Sequence, residues 1–316
     1  MRPLKSLTLA AMIDLLATTF GEVEDPRATP QLRYPLHDTL LSGFALMFFQ
    51  HPSLLEFQRA MESKRRRCNL QTIFGVHDIP SDTQMREILD GVEPEAIRGV
   101  LPQVWEKVRR AGWGGRFTTT LPSGAHQGTY YTVALDGSEY FRSTKVQCPH
   151  CLRQTDPQGR VHYSHKIVGA TVVRAGSHQV LPLDVEEVRN ATAESAPQDC
   201  ELTAAKRLVT RLRREHPQMA LMMIGDDLYA HVPFVEHLHE LRQHYVLVAK
   251  SASHPTLLAA VATAEGTEQT QTGQWTVGSG ARERTYTFGM TNFLMWPPSP
   301  RNKPCYFIKI TNDTWL

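Results

Sequence analysis

Apolar residues recur at helical spacing through the first third of the chain. Leu9, Met12, Leu15 and Leu16 form one stripe, and Leu40, Leu41, Phe44, Met47 and Phe48 a second. The stretch "PSLLEFQRAMESKRRRC" predicts a helix opening after Pro52–Ser53 and closing in Lys64, Arg65, Arg66 and Arg67, where cations complement the helix dipole. Ser81 with Gln84 three residues on is a capping-box pattern that opens another helix. "EPEAIRGVLPQVWEKVRRAGW" is helical on both sides of Pro102, which predicts a break or kink there.

The pattern changes near residue 116. "TYYTVALD" (129–136) is β-branched and aromatic, and "SHKIVGATVVRAG" (164–176) and "HQVLPLDVEEV" (178–188) predict two further strands joined by an Ala-Gly-Ser turn. An amphipathic helix follows over 198–217, then an apolar strand over 219–227, a helix around "VPFVEHLHELRQH" and a strand over 245–250. Residues 265–300 are polar, with two hairpin-like stretches, and read as a β-rich insertion; "CYFIKIT" (305–311) predicts a last strand. The expected fold is α/β (α+β overall): an all-α region over 1–115, then a mixed-sheet core over 116–316.

Composition narrows the class. The 316 residues suffice for one large domain or two ordinary ones, and an apolar share of 41% implies a real core. A formal net charge of +2 permits nucleic-acid binding without arguing for it. Five scattered cysteines make a poor disulfide framework and point to a reducing compartment. Asp14 interrupts the apolar N-terminal stretch and no small-residue cleavage site follows it, so no signal peptide is expected. The most apolar window, 39–50, is too short to span a bilayer. The expectation is a cytoplasmic protein without membrane partners.

Two acids stand at strand ends, the usual place for ligands in an open α/β sheet. Asp136 follows Val133, Ala134 and Leu135; Asp226 follows Met222, Met223 and Ile224. Carboxylates brought together at neighbouring strand tips repel one another, and a divalent cation relieves this. Two such cations roughly 3.5–4 Å apart serve phosphodiester chemistry. Either aspartate taken alone reads sooner as a turn former after a strand. The β-β-β-α-β order between them brings the first and fourth strands side by side in the ribonuclease H-like layout.

On "DPR" (25–27), "FGVHDIPSDTQMREILD" (74–90), "ALDGSEYFRSTKVQCPHC" (134–151), "QDCELTAAKR" (198–207) and "IGDDLYAH" (224–231), the chain resembles the DDE transposases of bacterial insertion sequences, which have a ribonuclease H-like catalytic core. The resemblance implies DNA cleavage and strand transfer with Mg²⁺ (or Mn²⁺), Asp136 as the first catalytic acid and Asp226, rather than its neighbour Asp227, as the second. Transposon ends and target DNA are the implied partners, and a homodimer the implied assembly. The family's third acid is a glutamate on a helix after the last core strand. With "CYFIKIT" as that strand, the sequence stops five residues later, so a truncated, impaired enzyme is expected. Glu265, Glu268 and Glu283 precede the strand and do not fit, and Glu139 reads as a surface or supporting residue. A non-catalytic DNA-binding fragment is the alternative, with a structure-selective nuclease of the same fold behind it.

Cys148 and Cys151, followed by His162 and His165, give C-x2-C-x10-H-x2-H, a plausible set of thiolate and imidazole ligands for structural zinc (Zn²⁺). The turn "DPQG" (156–159) would fold the two ends together. On a strand the two histidines would face opposite ways, so one alone could ligate; His150 is a further candidate. The competing reading is two reduced cysteines in a hairpin loop. No thioredoxin-like context supports a redox pair.

Lys64, Arg65, Arg66 and Arg67 are the favoured DNA-contact run, ahead of Arg109 with Arg110 and of Arg211, Arg213 and Arg214. A solvated helix end explains each cluster equally well by itself. His237 and His239 sit two apart on a helix, face different sides and read as structural. Trp275 is a candidate DNA contact within the insertion.

Overall fold

The computed structural model describes residues 7–27, 32–121, 127–190, 197–264, 270–277, 284–295 and 304–312. The chain is mixed α/β, with N-terminal helices and a mixed sheet of seven strands. It divides into two compact units, Met1–Leu221 and Met222–Leu316.

The first unit opens with α1 (Leu9–Gly21), α2 (Leu36–Phe48), α3 (Leu54–Glu62), α4 (Lys64–Phe74), α5 (Asp82–Asp90), α6 (Pro94–Ile97) and α7 (Val100–Arg110). Their apolar stripes meet in one core around Leu16, Phe20, Leu41, Ala45, Phe57 and Met85. The Ser81–Gln84 capping box is formed at the start of α5. Two expectations are corrected. The helix predicted to run through to Arg67 breaks at Ser63, which is extended, so Lys64, Arg65, Arg66 and Arg67 open α4 instead of closing α3. The start of a helix is not the end at which the dipole favours cations. Pro102 makes no kink either. It lies in the first turn of α7, where its missing N–H costs no intrahelical bond, and the break comes earlier, at Arg98–Gly99.

Strands follow: β1 (Thr119–Leu121), β2 (Gly128–Ser143), β3 (Leu152–Thr155), β4 (Val161–Val173) and β5 (Leu181–Val188), then helix α8 (Glu201–Glu215). β2 runs antiparallel to β4 along one edge, with Asp136 opposite Gly169. The other edge of β4 is shared. β3 pairs as far as Ser164 and β5 begins at Lys166, so His165 falls in the gap between them. The Ala-Gly-Ser turn joins β4 to β5 as predicted, with Gly176 at φ 73° and Ser177 N–H donating to Arg174 O at 3.1 Å. α8 packs on β4 and β5 through Ala204, Ala205, Leu208 and Leu212, all fully buried.

The second unit takes up β6 (Leu221–Gly225) from its second residue. It continues with α9 (Val232–Glu240), β7 (His244–Leu247), α10 (Pro255–Ala264), β8 (Thr270–Val277), β9 (Arg284–Met295) and β10 (Pro304–Asn312). β6 and β7 are parallel, joined across α9. β8, β9 and β10 form a separate antiparallel sheet in the order β10-β9-β8. The strand at 305–311, expected to close the core, therefore pairs with β9 in this smaller sheet. An apolar run shows that a strand forms and leaves its partner open. Glu265, Glu268 and Glu283 lie outside the described residues.

Candidate functional site

Asp136 is exposed on β2, on the strand whose buried residues Val133 and Leu135 anchor it in the sheet. Within the same unit, Tyr131 N–H donates to Ala220 O at 2.8 Å, so the residue preceding β6 lies against β2 five residues before Asp136. Gly137 makes room for a further acid. A Cβ there would stand 2.3 Å from Cδ of Glu201, the first residue of α8. The sequence signal was a glycine directly after Asp136 and a glutamate opening a helix, and neither by itself marks a contact.

Asp226 is exposed at the end of β6, and its Oδ1 accepts from Leu228 N–H at 3.0 Å in an Asx turn. Asp227 is engaged differently. The Ser253 hydroxyl and the Lys250 N–H hold its carboxyl below the usual carboxylate range, and His254 Nε2 lies 3.3 Å away. Asp227 thus fastens the segment after β7, while Asp226 stays at the surface. Glu139 is paired with Arg142 at 3.5 Å, in keeping with a surface role.

Cys148, Cys151 and His165 converge. Each Sγ lies 3.3 Å from His165 Nε2, and the two sulfurs are 3.7 Å apart. The turn that brings the thiols together is closed by Cys151 N–H to Cys148 O at 3.2 Å and by Cys148 N–H to Cys151 Sγ at 3.2 Å. Burial pushes the Cys151 thiol pKa up. Asn190, beyond the end of β5, braces the turn by donating its side-chain amide to Cys151 O at 2.8 Å. His162 does not join them. Its Nε2 lies 3.0 Å from Asp156 Oδ2, in the DPQG turn where Gly159 has φ 80°. His150 is also occupied: Nδ1–H donates to Asn190 O at 3.0 Å and Nε2 accepts from Arg189 at 2.8 Å. One histidine of the predicted pair is brought to the cysteines and the other is spent on a turn.

The basic clusters separate in the same way. The side chains of residues 64–68 lie outside the described residues. Arg109 and Arg110 both bind Glu106, at 2.7 and 2.6 Å, and hold its pKa down to about 2, Arg109 first. Arg211 is no surface cation: it binds Asp184 at 2.6 Å and also pairs with Glu186. Arg213 donates to Pro217 O at 3.2 Å, and Arg214 is exposed. His239 bonds the Tyr245 hydroxyl at 2.9 Å, as a structural histidine would. The Trp275 side chain lies outside the described residues.

No protein-family model and no curated protein matches the chain. Among solved structures it is similar to the piggyBac transposase in a synaptic complex with hairpin DNA, at 13% identity and a TM-score of 0.35. The alignment covers 94% of this chain and 57% of that one, so the chain spans just over half the other's length. At that TM-score the backbones share too little to assign residues or roles. Among the described residues no helix is long and apolar enough to cross a membrane.

Proposed function

We propose that the chain acts on DNA by metal-dependent phosphodiester cleavage and strand transfer of the transposase type, with Asp136 and Asp226 as acids that hold Mg²⁺ or Mn²⁺. The observation that carries this is the exposed placement of each acid on its own strand: Asp136 on β2 after the buried Val133 and Leu135, and Asp226 directly after β6. The motif resemblance supports it, and so does the division of labour at 226–227: one aspartate is committed to the fold and the other is left exposed.

The donor set fits the cation. Both groups are carboxylates, the hard oxygen ligands that Mg²⁺ takes, and both are exposed. A divalent cation bound there supplies activation of a water or 3′-hydroxyl and charge neutralisation at the departing oxygen. The chain's own part is to position the acids. β2 fixes Asp136 through its pairing with β4, and the Asx turn to Leu228 fixes Asp226. In this reading the attacking oxygen gives its proton to solvent, a new P–O bond forms in line, and the old P–O bond breaks with its electrons on the leaving oxygen, which takes a proton from solvent. No covalent protein–DNA intermediate is needed.

The test is Mn²⁺ binding followed by electron paramagnetic resonance, beside Mn²⁺-dependent nicking of supercoiled plasmid. The wild-type chain is expected to bind Mn²⁺, and Asp136→Asn and Asp226→Asn each to lose it, while Asp227→Asn retains it if folded. Undiminished Mn²⁺ binding in both of the first two variants would overturn the assignment. DNA binding with intact Mn²⁺ binding and no nicking would favour the non-catalytic reading.

A further inference from the structure

The cysteine–histidine cluster lies apart from the acids in sequence and in chemistry, and the proposed phosphodiester chemistry leaves it unused. Its three donors come from two pieces of chain. Cys148 and Cys151 belong to the connection between β2 and β3, and His165 lies on β4 in the gap between the β3 and β5 pairings. We propose that Cys148, Cys151 and His165 bind a zinc ion that fastens this connection to β4, with a solvent molecule completing the tetrahedron.

Four observations support the site. First, the separations fit one small ion. Sulfurs bound tetrahedrally at about 2.3 Å stand about 3.8 Å apart, and sulfur and imidazole nitrogen about 3.6 Å apart. The 3.7 Å and 3.3 Å found lie within about 0.3 Å of these values. Second, the sulfurs are not bonded to each other, since a disulfide would hold them at about 2.05 Å. Third, the cluster is supported from outside. Asn190 holds Cys151 O, and the Tyr140 ring lies against His165, its centroid 5.9 Å away and 22° from parallel. Fourth, the strand geometry serves the ligand. Tyr140 is the residue passed over where the β2–β4 register shifts between Glu139 and Phe141, so a bulge sets the ring that lies against the imidazole.

Thiolate with imidazole selects a borderline-soft ion of zinc type over Mg²⁺ or Ca²⁺. Binding converts two thiols to thiolates and releases two protons to solvent. His165 enters neutral through Nε2 with its proton on Nδ1, and nothing is oxidised or reduced. Without the ion, the connection is held by the four-residue β3 ladder to β4 and by the bonds of His150 and Cys151 to Arg189 and Asn190 beyond β5.

The experiment is metal analysis of the full chain purified under reducing conditions, with Co²⁺ substitution of the apo protein. About one zinc per chain is expected, and Co²⁺ should give the thiolate charge-transfer band and intense visible bands of a four-coordinate site. Cys148→Ala, Cys151→Ala and His165→Ala should each reduce retained zinc at least tenfold, while His162→Ala keeps it, because His162 is bound to Asp156. Substoichiometric zinc with no Co²⁺–thiolate band in the wild type would overturn the proposal. So would a Cys148–Cys151 disulfide formed in preference to metal, or equal loss in His162→Ala and His165→Ala. Should a ligand variant fail to fold, the wild-type Co²⁺ spectrum still reports sulfur ligation. Zinc retained in Asp136→Asn and Asp226→Asn keeps this test separate from that of the acids.

Discussion

The Tyr140 ring lies almost flat on the His165 imidazole, 5.9 Å between centroids and 22° from parallel, while its hydroxyl donates to Glu187 at 3.3 Å. Burial and then the neighbouring Glu187 carboxylate push the Tyr140 phenol pKa up to about 12, so the hydroxyl stays protonated and keeps donating. A bulge in β2 thus links a strand of the main sheet to the cysteine turn. The ring lies against the imidazole that faces both thiols, and Phe141 packs on that imidazole as well, 5.7 Å between centroids.

Tyr140→Ala is expected to loosen the cluster without removing a donor. Metal affinity, measured by competition with a chromophoric chelator, should fall about tenfold, the low end for partners that orient a ligand. Tyr140→Phe keeps the stacking and should lie within about threefold of wild type, since an exposed hydrogen bond contributes about 1 kcal/mol or less. Equal losses in the two variants would show that the hydroxyl, and not the ring, does the orienting.

Arg98, Asp184 and Arg211 form the most buried charge cluster among the described residues. Asp184 is 1% exposed and accepts from Arg98 at 3.1 Å and from Arg211 at 2.6 Å. Arg207 extends the cluster through Glu186 to Asp199 at 2.8 Å. The cluster ties the α6–α7 junction to β5 and α8. Asp184→Ala would remove the acceptor that Arg98 and Arg211 share, at a cost of about 1–3 kcal/mol, since Arg98 keeps Glu95 and Glu215 and Arg211 keeps Glu186. Urea unfolding should show this as a lower midpoint at unchanged slope. A loss under about 1 kcal/mol would mean that solvent replaces the carboxylate freely.

What the sequence made legible was local. The Ser81 capping box, the Gly176 turn and the DPQG turn are each written within a few consecutive residues, and each forms. What it hid was pairing over distance. Residues 305–311 look like a core strand because an apolar run says nothing about which sheet will take it, and they join β9. Arg211 reads as a surface cation because its partners Asp184 and Glu186 are more than twenty residues away. His162 and His165 are chemically alike, and only the path of the turn assigns one to Asp156 and the other to the thiols. Tyr140 carried no signal, since a bulge exists only between two strands.

Asp226 and Asp227 should separate cleanly by substitution. Asp227→Ala removes the acceptor for Lys250 N–H and Ser253 and is expected to lower the melting temperature by several degrees. Asp226→Ala removes a single turn bond and should leave the melting temperature almost unchanged while abolishing Mn²⁺ binding. The reverse pattern would make Asp227 the metal-holding acid. Differential scanning fluorimetry with and without Mn²⁺ reads both quantities in one experiment.

His216 ties stability to pH. It caps the end of α8, its ring centroid 6.5 Å from that of Trp105, and its Nε2 is buried without a hydrogen-bond partner among the described residues. Burial holds its pKa below the usual imidazole value. The folded state therefore binds its proton less readily than the unfolded chain does. The stability it contributes is complete above the unfolded value of about 6.5 and is lost as pH falls from there through the lowered folded value. His216→Phe should fill the same space beside Trp105 without titrating, and so flatten the fall in unfolding free energy as pH drops below about 6.5. An unchanged slope in the variant would assign that fall to other groups. A steeper slope would mean that the imidazolium finds a partner in the fold, with Glu215 the adjacent candidate.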